Sequence, residues 1–312
     1  AEKKFSDKHP FQKYFEEVEV GDSLETAGRT VTDADIVNFS NVSWDHFYAH
    51  TDATSLTGTI FDKTVAHGYF ILSAAAGLFV SGKKGPVIAN YGLENCSFFK
   101  PVYAGDTITV YLTAKEKINR GVKGRNIPSG VVKWLVEVVN QRDEVVCVAT
   151  ILTLVAKQSP FIDLNVKNVQ KILGGLTETT SSNWGEMSPQ QMIEHLEHGV
   201  LVSLGEPEAD KCFTPEEQLE KWQDSLYNHR KMPKDFPAPF LAEDETLLEL
   251  KHKNLDAAKQ SFLDNLQRFT VYYRENPQAE HMNFVFGKLN KEMWELMHKK
   301  HFTHHFEQFG LI

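Results

Sequence analysis

Residues 66–80 read AHGYFILSAAAGLFV, and this stretch decides how the first half of the chain folds. Its length and its nearly continuous apolar character predict a helix that begins near Ala66. The Gly-rich segment SGKKGP, residues 81–86, is a typical helix stop. Because the predicted helix is apolar on nearly every face, we expect it to be buried on most sides.

Four segments with β-strand character follow this helix. They span residues 87–102, 107–118, 130–140 and 144–157. In the last two segments, apolar residues alternate with polar ones on either side of a short turn, which is typical of a long antiparallel hairpin. A central apolar helix followed by long antiparallel strands predicts a sheet that wraps around the helix.

The second half of the chain is predicted to be helical, after a polar connector over residues 158–186. Ser188 and Pro189 form a good helix start, since serine caps and proline lacks an N–H that the first turn does not need. Residues 205–240 are rich in proline and charge and predict a long connection. Two further helices are predicted over about residues 243–273 and 290–310.

These patterns predict an α+β chain with two domains. The first domain, residues 1–157, is expected to place an antiparallel sheet around a central helix. The second domain, residues 158–312, is expected to be an all-α helix bundle.

Composition and charge narrow the functional classes. A chain of 312 residues with a formal net charge of -9 and no Lys/Arg-rich stripe is not expected to bind nucleic acid. No apolar run reaches the roughly 20 residues of a membrane span, and the N-terminal AEKKFSDKHP lacks the apolar core of a signal peptide. Cys96, Cys147 and Cys212 have neither metal-ligand nor disulfide spacing, so we expect reduced thiols and a cytoplasmic protein. The chain begins with Ala, which is compatible with processing or with a piece of a longer protein.

The segment SWDHFYAHTD, residues 43–52, concentrates ionisable side chains just before the apolar helix. Hydration of an unsaturated thioester needs a carboxylate and an imidazole to activate water, a proton for the α-carbon, and a donor for the thioester oxygen. Asp45 and His50 suit the first two needs. Gly68 lies at the helix start, where a free backbone N–H favours negative charge and the missing side chain allows close approach. An Asp and a His five residues apart are an ordinary surface pair in most proteins, so this hypothesis depends on further motifs.

Several ordered motifs resemble the MaoC-like (R)-specific enoyl-CoA hydratases, which have the hot-dog fold. The resemblance covers about residues 12–157 and implies hydration or dehydration of a 2-enoyl-CoA thioester without a cofactor, by a homodimer or higher homo-oligomer. It assigns catalysis to Asp45, His50 and Gly68. The matching motifs are Asp45 to His50, His67-Gly68, Phe99-Lys100-Pro101-Val102 and Gly105-Asp106.

One departure bears on the substrate. The family usually has Asn-Pro between the Asp and the His, and this chain has Phe47-Tyr48. The segment WDHFYAHTD is similar to the hydratase domain of the ring-opening enzymes of phenylacetate degradation. Those enzymes act on oxepin-CoA, which implies that a cyclic acyl-CoA thioester is a candidate substrate.

Other side chains near Asp45 have alternative roles. His46 is expected to face solvent or to order the loop, and Asp52 to cap the next short helix. We expect His67 to support the site or to pack beneath it. Phe47 and Tyr48 could line an acyl pocket or belong to the core.

Histidines are concentrated near the C-terminus. His301 and His305 are four residues apart, so on a helix they present two imidazoles to the same point. His195 or His198, on the helix after Ser188, could supply a third ligand. Three neutral imidazoles with an open position suit Zn, Ni or Fe(II). The spacing is equally compatible with a solvated helix end whose histidines complement the helix dipole.

Two motifs resemble the DinB-like four-helix-bundle family, over about residues 165–312. They are WGEMSPQQMIEHL, residues 184–196, and HFTHHFEQFG, residues 301–310. Family members bind a divalent metal through one His of the second helix and a His-x-x-x-His pair of the last. The resemblance therefore implies that His195, His301 and His305 are metal ligands. The remaining histidines, His198, His298 and His304, would flank them.

Three functional hypotheses stay open at this point. In the first, the hot-dog domain is a lyase that adds water to an acyl-CoA thioester or removes it. In the second, that domain is a silent CoA-ester binding or scaffold module, and any chemistry is a metal-dependent reaction of the C-terminal domain. In the third, the bundle is a structural or dimerising appendage.

Overall fold

The computed structural model describes residues 2–121, 124–234 and 249–312. These residues separate into two units by their contacts. The first unit contains residues 2–121 and 128–158, and the second contains residues 124–127 and the described residues from 159 onwards. Each unit has its own hydrophobic core.

The first unit is built on a seven-stranded sheet with the strand order β1-β2-β5-β6-β7-β4, in which β3 also pairs with β5. All pairs are antiparallel except β1 with β2. The four long strands coincide with the four predicted segments. The strands are β1 (Lys4–Phe5), β2 (Asp22–Glu25), β3 (Arg29–Thr30), β4 (Val87–Phe98), β5 (Thr107–Asn119), β6 (Ser129–Val139) and β7 (Val145–Ala156).

Three helices belong to the first unit: α1 (Asp33–Ser43), α2 (Tyr48–Thr51) and α3 (Gly68–Phe79). The helix α3 is the predicted central helix, and it buries Ile71, Ala75 and Phe79 in the core of this unit. A long antiparallel sheet wrapped around a central helix is the hot-dog fold, so the predicted fold is confirmed.

The prediction that α3 is buried on most sides is wrong for the single chain. One stripe faces the sheet, whereas Tyr69 is 68% exposed and Ala76 is also exposed. The helix is apolar on the side that faces the sheet and on the opposite side, but the sheet covers only the first of these sides. An apolar helix face is therefore left on the surface of this unit.

The core of the first unit lies between the long strands and α3. Trp134 of β6 is fully buried, and its indole N–H donates to Thr153 Oγ1 of β7 at 2.8 Å. Gly130 leaves room for the ring of Phe15, which would lie 2.3 Å from an added Cβ. Glycine at residue 130 thus lets a large ring pack directly against β6.

The second unit is helical, as predicted. The helix α5 packs against α7 and α8, α6 packs against α8, and α4 packs against α7, around one core. The helices are α4 (Val166–Leu173), α5 (Pro189–Val202), α6 (Glu216–Tyr227), α7 (Leu255–Glu275) and α8 (Lys291–Gln308). A small hairpin of β8 (His281–Asn283) and β9 (Gly287–Leu289) precedes α8.

Local signals explain where these helices begin. Ser188 caps α5 in a capping box with Gln191, and Pro189 occupies the first helical position. Asn254 and Asn290 cap α7 and α8 with their side-chain oxygens.

Two predictions for this unit need correction. The helix α6 lies within the predicted connection over residues 205–240, because Pro215 and two glutamates start a helix whose apolar side buries Leu226. The helix predicted from about residue 243 begins at Leu255, and the part over residues 243–248 lies outside the described residues. In the case of α6, proline and charge obscured a short apolar stripe on the sequence.

Within the described ranges 2–121, 124–234 and 249–312, no helix is both long enough and apolar enough to span a bilayer.

Candidate active site and candidate metal centre

Asp45 follows an abrupt helix end. The capping box of Thr32 and Asp35 starts α1, and Trp44 ends it in the left-handed region at φ 63°. The chain then reverses, and Asp45 Oδ1 accepts a hydrogen bond from the Phe47 N–H at 3.2 Å. The Asp45 side chain is half-buried, so it is held in place and still reaches solvent.

His50 lies on α2 and is fixed by a main-chain carbonyl. Its Nδ1 lies 2.7 Å from Val65 O, and a carbonyl can only accept, so Nδ1 carries the proton. The other ring nitrogen, Nε2, therefore keeps its lone pair. Val65 is itself held in place: its backbone N–H donates to Ala49 O, and it forms an antiparallel β-bridge with Tyr103. This geometry suits a general base.

His67 lies beneath this pair, directly before α3, and is 1% exposed. Its Nε2 donates to Asp45 O at 3.1 Å and lies 3.2 Å from Ser40 Oγ. The rings of His50 and His67 stack with centroids 3.7 Å apart and an angle of 24° between their planes. Burial lowers the pKa of His67, although its hydrogen bond to the Asp45 carbonyl opposes the shift. His67 thus joins the Asp45 loop to the His50 ring.

Asp45, His50 and His67 lie close enough to be considered as metal ligands, since one ligand atom from each lies within 4.8 Å of the others. The ring geometry does not suit a shared ion. Imidazole binds a metal in its own plane at about 2.0–2.1 Å. An ion between two stacked rings would lie far outside both planes. The arrangement is better suited to proton transfer than to metal binding.

Gly68 is the first residue of α3, where the backbone N–H has no partner within the helix. An added Cβ would lie 2.8 Å from the ring of Phe98 on β4. We predicted that the missing side chain allows close approach, and the group that approaches in the structure is this ring. Phe98 is 48% exposed, so it also forms part of the surface beside the helix start.

The residues that flank Asp45 and His50 lie at the surface or cap a helix. His46 is exposed, as expected. Asp52 caps the following short helix, as predicted, and hydrogen bonds from Ser55 and Thr54 lower its pKa to about 2. Phe47 and Tyr48 are 52% and 40% exposed and contact each other, so they lie at the surface beside the site and not in the core.

The second constellation brings together His195 of α5 with His301 and His305 of α8. The Nε2 atoms of His195 and His301 are 2.9 Å apart, and one ligand nitrogen from each of the three lies within 4.8 Å of the others. Ring centroids are 4.8–4.9 Å apart, and the planes meet at 70–80°. These rings are splayed around a common point, unlike the stacked pair of the first unit.

The electrostatics of this group suit a divalent cation. Burial, together with neighbouring histidines, lowers the pKa of His195 to about 4 and those of His301 and His305 well below the ordinary value, although the hydrogen bond with Gln308 opposes the shift of His305. The imidazoles are therefore neutral near pH 7 and offer lone pairs. Two nitrogens that share a metal at about 2.0–2.1 Å are themselves roughly 3 Å apart, close to the separation of His195 and His301.

The flanking residues have other roles. His298 is fully buried in the core, beside Ser203 Oγ at 3.1 Å and stacked on Trp294. Glu194 accepts the backbone N–H groups of Lys251 and His252, so it holds the chain before α7 against α5. The sequence left Glu194 without a role, because these partners are about 57 residues away.

The structure adds Gln308 to the constellation, which sequence reasoning missed. Its Oε1 accepts a hydrogen bond from His305 Nδ1 at 2.7 Å. The available signal was its spacing, three residues after His305 on the same helix face.

The environment of His67 leads to a test by NMR. Because burial lowers its pKa, we expect a titration midpoint below the ordinary value of about 6.5, with the proton on Nε2 in the neutral ring. A pH titration of the ring nitrogen and carbon shifts in the full chain measures both properties. A short peptide with the sequence of residues 60–70 serves as the unfolded control. A midpoint at or above that of the peptide, or a neutral ring protonated on Nδ1, would contradict the geometry.

Comparison with known proteins identifies both units. The family described as MaoC like domain matches residues 15–133, and the family described as a protein of unknown function, DUF1569, matches residues 161–310. An X-ray structure of a monoamine oxidase regulatory protein from Archaeoglobus fulgidus aligns at 34% identity with a TM-score of 0.44, and covers 51% of this chain and 99% of that one.

Two curated relatives align with about a third of the chain. Protein MaoC of Klebsiella aerogenes is 61% identical over 109 residues, which are 35% of this chain and 32% of that protein. The chain thus spans only about a third of that relative. The (R)-specific enoyl-CoA hydratase of Rhodospirillum rubrum is 33% identical over 103 residues, which are 32% of this chain and 68% of that protein. The chain therefore belongs to the MaoC-like domain family through its N-terminal unit, which is joined to a separate DUF1569 domain.

Proposed function

We propose that the N-terminal unit adds water to a 2-enoyl-CoA or a related unsaturated acyl-CoA thioester, and catalyses the reverse dehydration. The observation that carries the proposal is the pairing of the Asp45 carboxylate with a His50 ring whose Nε2 lone pair is available. Membership in the MaoC-like family and the 33% identity to an (R)-specific enoyl-CoA hydratase support it.

In the proposed reaction, Asp45 and His50 hold one water molecule. His50 Nε2 takes a proton from this water as its oxygen forms a bond to the β-carbon, and the α-carbon then receives that proton. One water is consumed, with OH on the β-carbon and H on the α-carbon, and the imidazole returns to its neutral form. The hydrogen bond from His50 Nδ1 to Val65 O stabilises the transient positive ring.

The thioester oxygen gains negative charge during this addition. The Gly68 N–H, at the first position of α3, is the proposed donor to that oxygen. The aligned peptide dipoles of α3 add a favourable potential at the same end of the helix. This role needs a residue without a side chain at the helix start. The ring of Phe98 imposes the same requirement, because it leaves no room for a Cβ at Gly68.

We further propose that the product has (R) configuration and that cyclic thioesters are accepted. The configuration follows the name of the Rhodospirillum relative. The cyclic substrate, an oxepin-CoA-like compound of phenylacetate degradation, rests on the resemblance in WDHFYAHTD. Phe47 and Tyr48 replace the usual Asn-Pro, and both lie exposed beside His50, where they could contact a ring.

Substitution of the proposed pair tests this function. Asp45→Asn and His50→Ala are each expected to lower kcat for hydration by about 10²–10⁴-fold, because Asp45 holds the water molecule and His50 takes its proton. The measurement is loss of enoyl absorbance with a panel of unsaturated CoA thioesters that includes crotonyl-CoA and a cyclic one. Asp52→Asn and His46→Gln are matched controls in the same segment and should retain activity.

A chelator is expected to leave hydration unchanged. Full activity in both Asp45→Asn and His50→Ala on a verified substrate would refute the assignment. Hydration that requires metal would instead favour a scaffold role for this unit, with chemistry in the C-terminal domain.

We propose that a second copy of the chain covers an apolar surface on the first unit. Among the described residues, β4 ends the sheet and pairs only with β7, so its other edge is open. Exposed large apolar side chains lie along it at Ile88, Tyr91 and Leu93. An open edge invites pairing with an identical strand, and two-fold symmetry makes such a pair self-complementary.

A charge on this edge tests the proposed homo-oligomer. Tyr91→Lys and Leu93→Lys are expected to shift the sedimenting species from a dimer or larger assembly to a monomer, because like charges would face each other across the axis. Val20→Lys places the same charge on another exposed apolar position and should leave the assembly unchanged. A monomeric unsubstituted protein, or an unchanged assembly in both β4 variants, would show that this edge is not the interface.

We also propose that His195, His301 and His305 bind a divalent metal such as Zn, Ni or Fe(II), in a DinB-like helical bundle. The convergence of three neutral imidazoles at 70–80° supports this assignment. A metal bound there would act as a Lewis acid or lower the pKa of a bound water. His195 and His305, which are buried, and His301, which is half-buried, would hold it.

Metal analysis of the purified protein tests this centre. About one metal ion per chain is expected, and His301→Ala should lose most of it, because only two ligands are left. His304→Ala removes a flanking imidazole of the same helix and should keep the metal. Equal metal content in His301→Ala and in the unsubstituted chain would contradict the assignment and favour a purely structural role for the bundle.

A further inference from the structure

A glutamine amide connects the three-histidine group to a distant turn. Gln308, the last residue of α8, is 5% exposed. Its Oε1 faces His305 Nδ1 at 2.7 Å, and its Nε2 faces Trp184 O at 2.7 Å. Trp184 lies before α5, and its carbonyl is therefore brought to the end of α8 by the fold.

We propose that Gln308 is a positioning residue of the His195/His301/His305 centre, and that Trp184 and Gly185 hold Gln308 in its working orientation. This inference rests on the proposed metal centre. Gln308 contacts only His305 among the three, so it acts through that ligand.

The direction of each hydrogen bond follows from Trp184. Its carbonyl can only accept, so the amide nitrogen of Gln308 must face it as donor. The amide oxygen then faces His305, and His305 Nδ1 must carry the proton. His305 Nε2 is left with a lone pair, on the side of the ring away from Gln308. A single main-chain carbonyl thus sets which nitrogen of His305 is available as a ligand.

The turn before α5 is shaped for this contact. Gly185 has φ +73°, and an added Cβ would lie 2.6 Å from Gln308 Nε2. The same turn is bound to the end of α8 at two further points, since Asn183 N donates to Gln308 O at 2.7 Å and Asn183 Nδ2 donates to Glu307 O at 3.1 Å. Glycine at residue 185 therefore meets both a backbone and a packing requirement.

This network gives a function to Gln308, Trp184 and Gly185, which the histidine spacing does not explain. Partners of this kind fix the tautomer and the ring orientation of a metal-binding His, and their loss typically costs about 10–100-fold in metal affinity. All three histidines are still present when Gln308 is replaced, so the expected defect is in affinity and coordination and not in metal stoichiometry at saturation.

The experiment measures Zn²⁺ affinity and the Co²⁺ absorption spectrum of the full chain. Gln308→Leu is expected to weaken Zn²⁺ binding by about 10–100-fold and to change the Co²⁺ spectrum, because His305 loses its acceptor. Gln308→Glu keeps an oxygen acceptor and should bind more tightly than Gln308→Leu. Gly185→Ala should weaken binding in the same direction, because its Cβ displaces the amide.

Two matched controls separate positioning from general loss of stability. Gln223→Leu removes another amide that donates to main-chain carbonyls, those of Phe286 and Lys288. Gly287→Ala imposes similar backbone strain at φ +70°, and the side chain nearest to its added Cβ, that of Leu219 at 3.3 Å, is not part of the network around Gln308. Both controls should keep the affinity and the spectrum of the unsubstituted chain.

The outcomes are distinguishable. If the unsubstituted chain binds neither Zn²⁺ nor Co²⁺, the metal centre itself is refuted, and this inference falls with it. If that chain binds metal and Gln308→Leu has the same affinity and spectrum, the role of Gln308 alone is refuted. Equal losses in Gln308→Leu and Gln223→Leu would also refute it. Should Gln308→Leu fail to fold, the comparison of Gln308→Glu and Gly185→Ala with Gly287→Ala decides.

Discussion

A main-chain carbonyl oxygen accepts hydrogen bonds and never donates them, and both candidate sites depend on this constraint. In the first unit, Val65 O fixes the proton of His50 on Nδ1, and Asp45 O fixes that of His67 on Nε2. In the second unit, Trp184 O orients the Gln308 amide, which fixes His305. The lone pairs of His50 and His305 are thus set by main-chain carbonyls, directly for His50 and through Gln308 for His305.

The two groups of histidines differ in the angle between their rings, and this angle separates their chemistry. His50 and His67 stack with 24° between planes, so their in-plane lone pairs cannot meet at one ion. The three rings of the second unit meet at 70–80°, so their lone pairs can converge. The same side chain therefore suits proton transfer in one unit and metal binding in the other, and spacing along the chain does not reveal the difference.

Much of the fold follows from local patterns. The four long strands and α3 were predicted because alternation and continuous apolar character are local properties, and the starts of α5 and α8 because caps are local. The helix α6 was missed because its charged residues and the proline before it are typical of a connection. Its one buried residue, Leu226, becomes evident only in the folded unit. The exposed face of α3 was also missed, because periodicity shows that a face is apolar but not whether one chain covers it.

The sequence by itself determined the residue types, their order and their spacing. Together with the two family resemblances, those properties were enough to select Asp45, His50 and Gly68, and to select His195 with the pair His301 and His305. Only the tertiary structure decided which nitrogen of each ring carries a proton and which side chains from remote segments complete each group. The physical reason is that tautomers and ring angles depend on partners such as Val65 O and Trp184 O, which the chain brings into contact only when it folds.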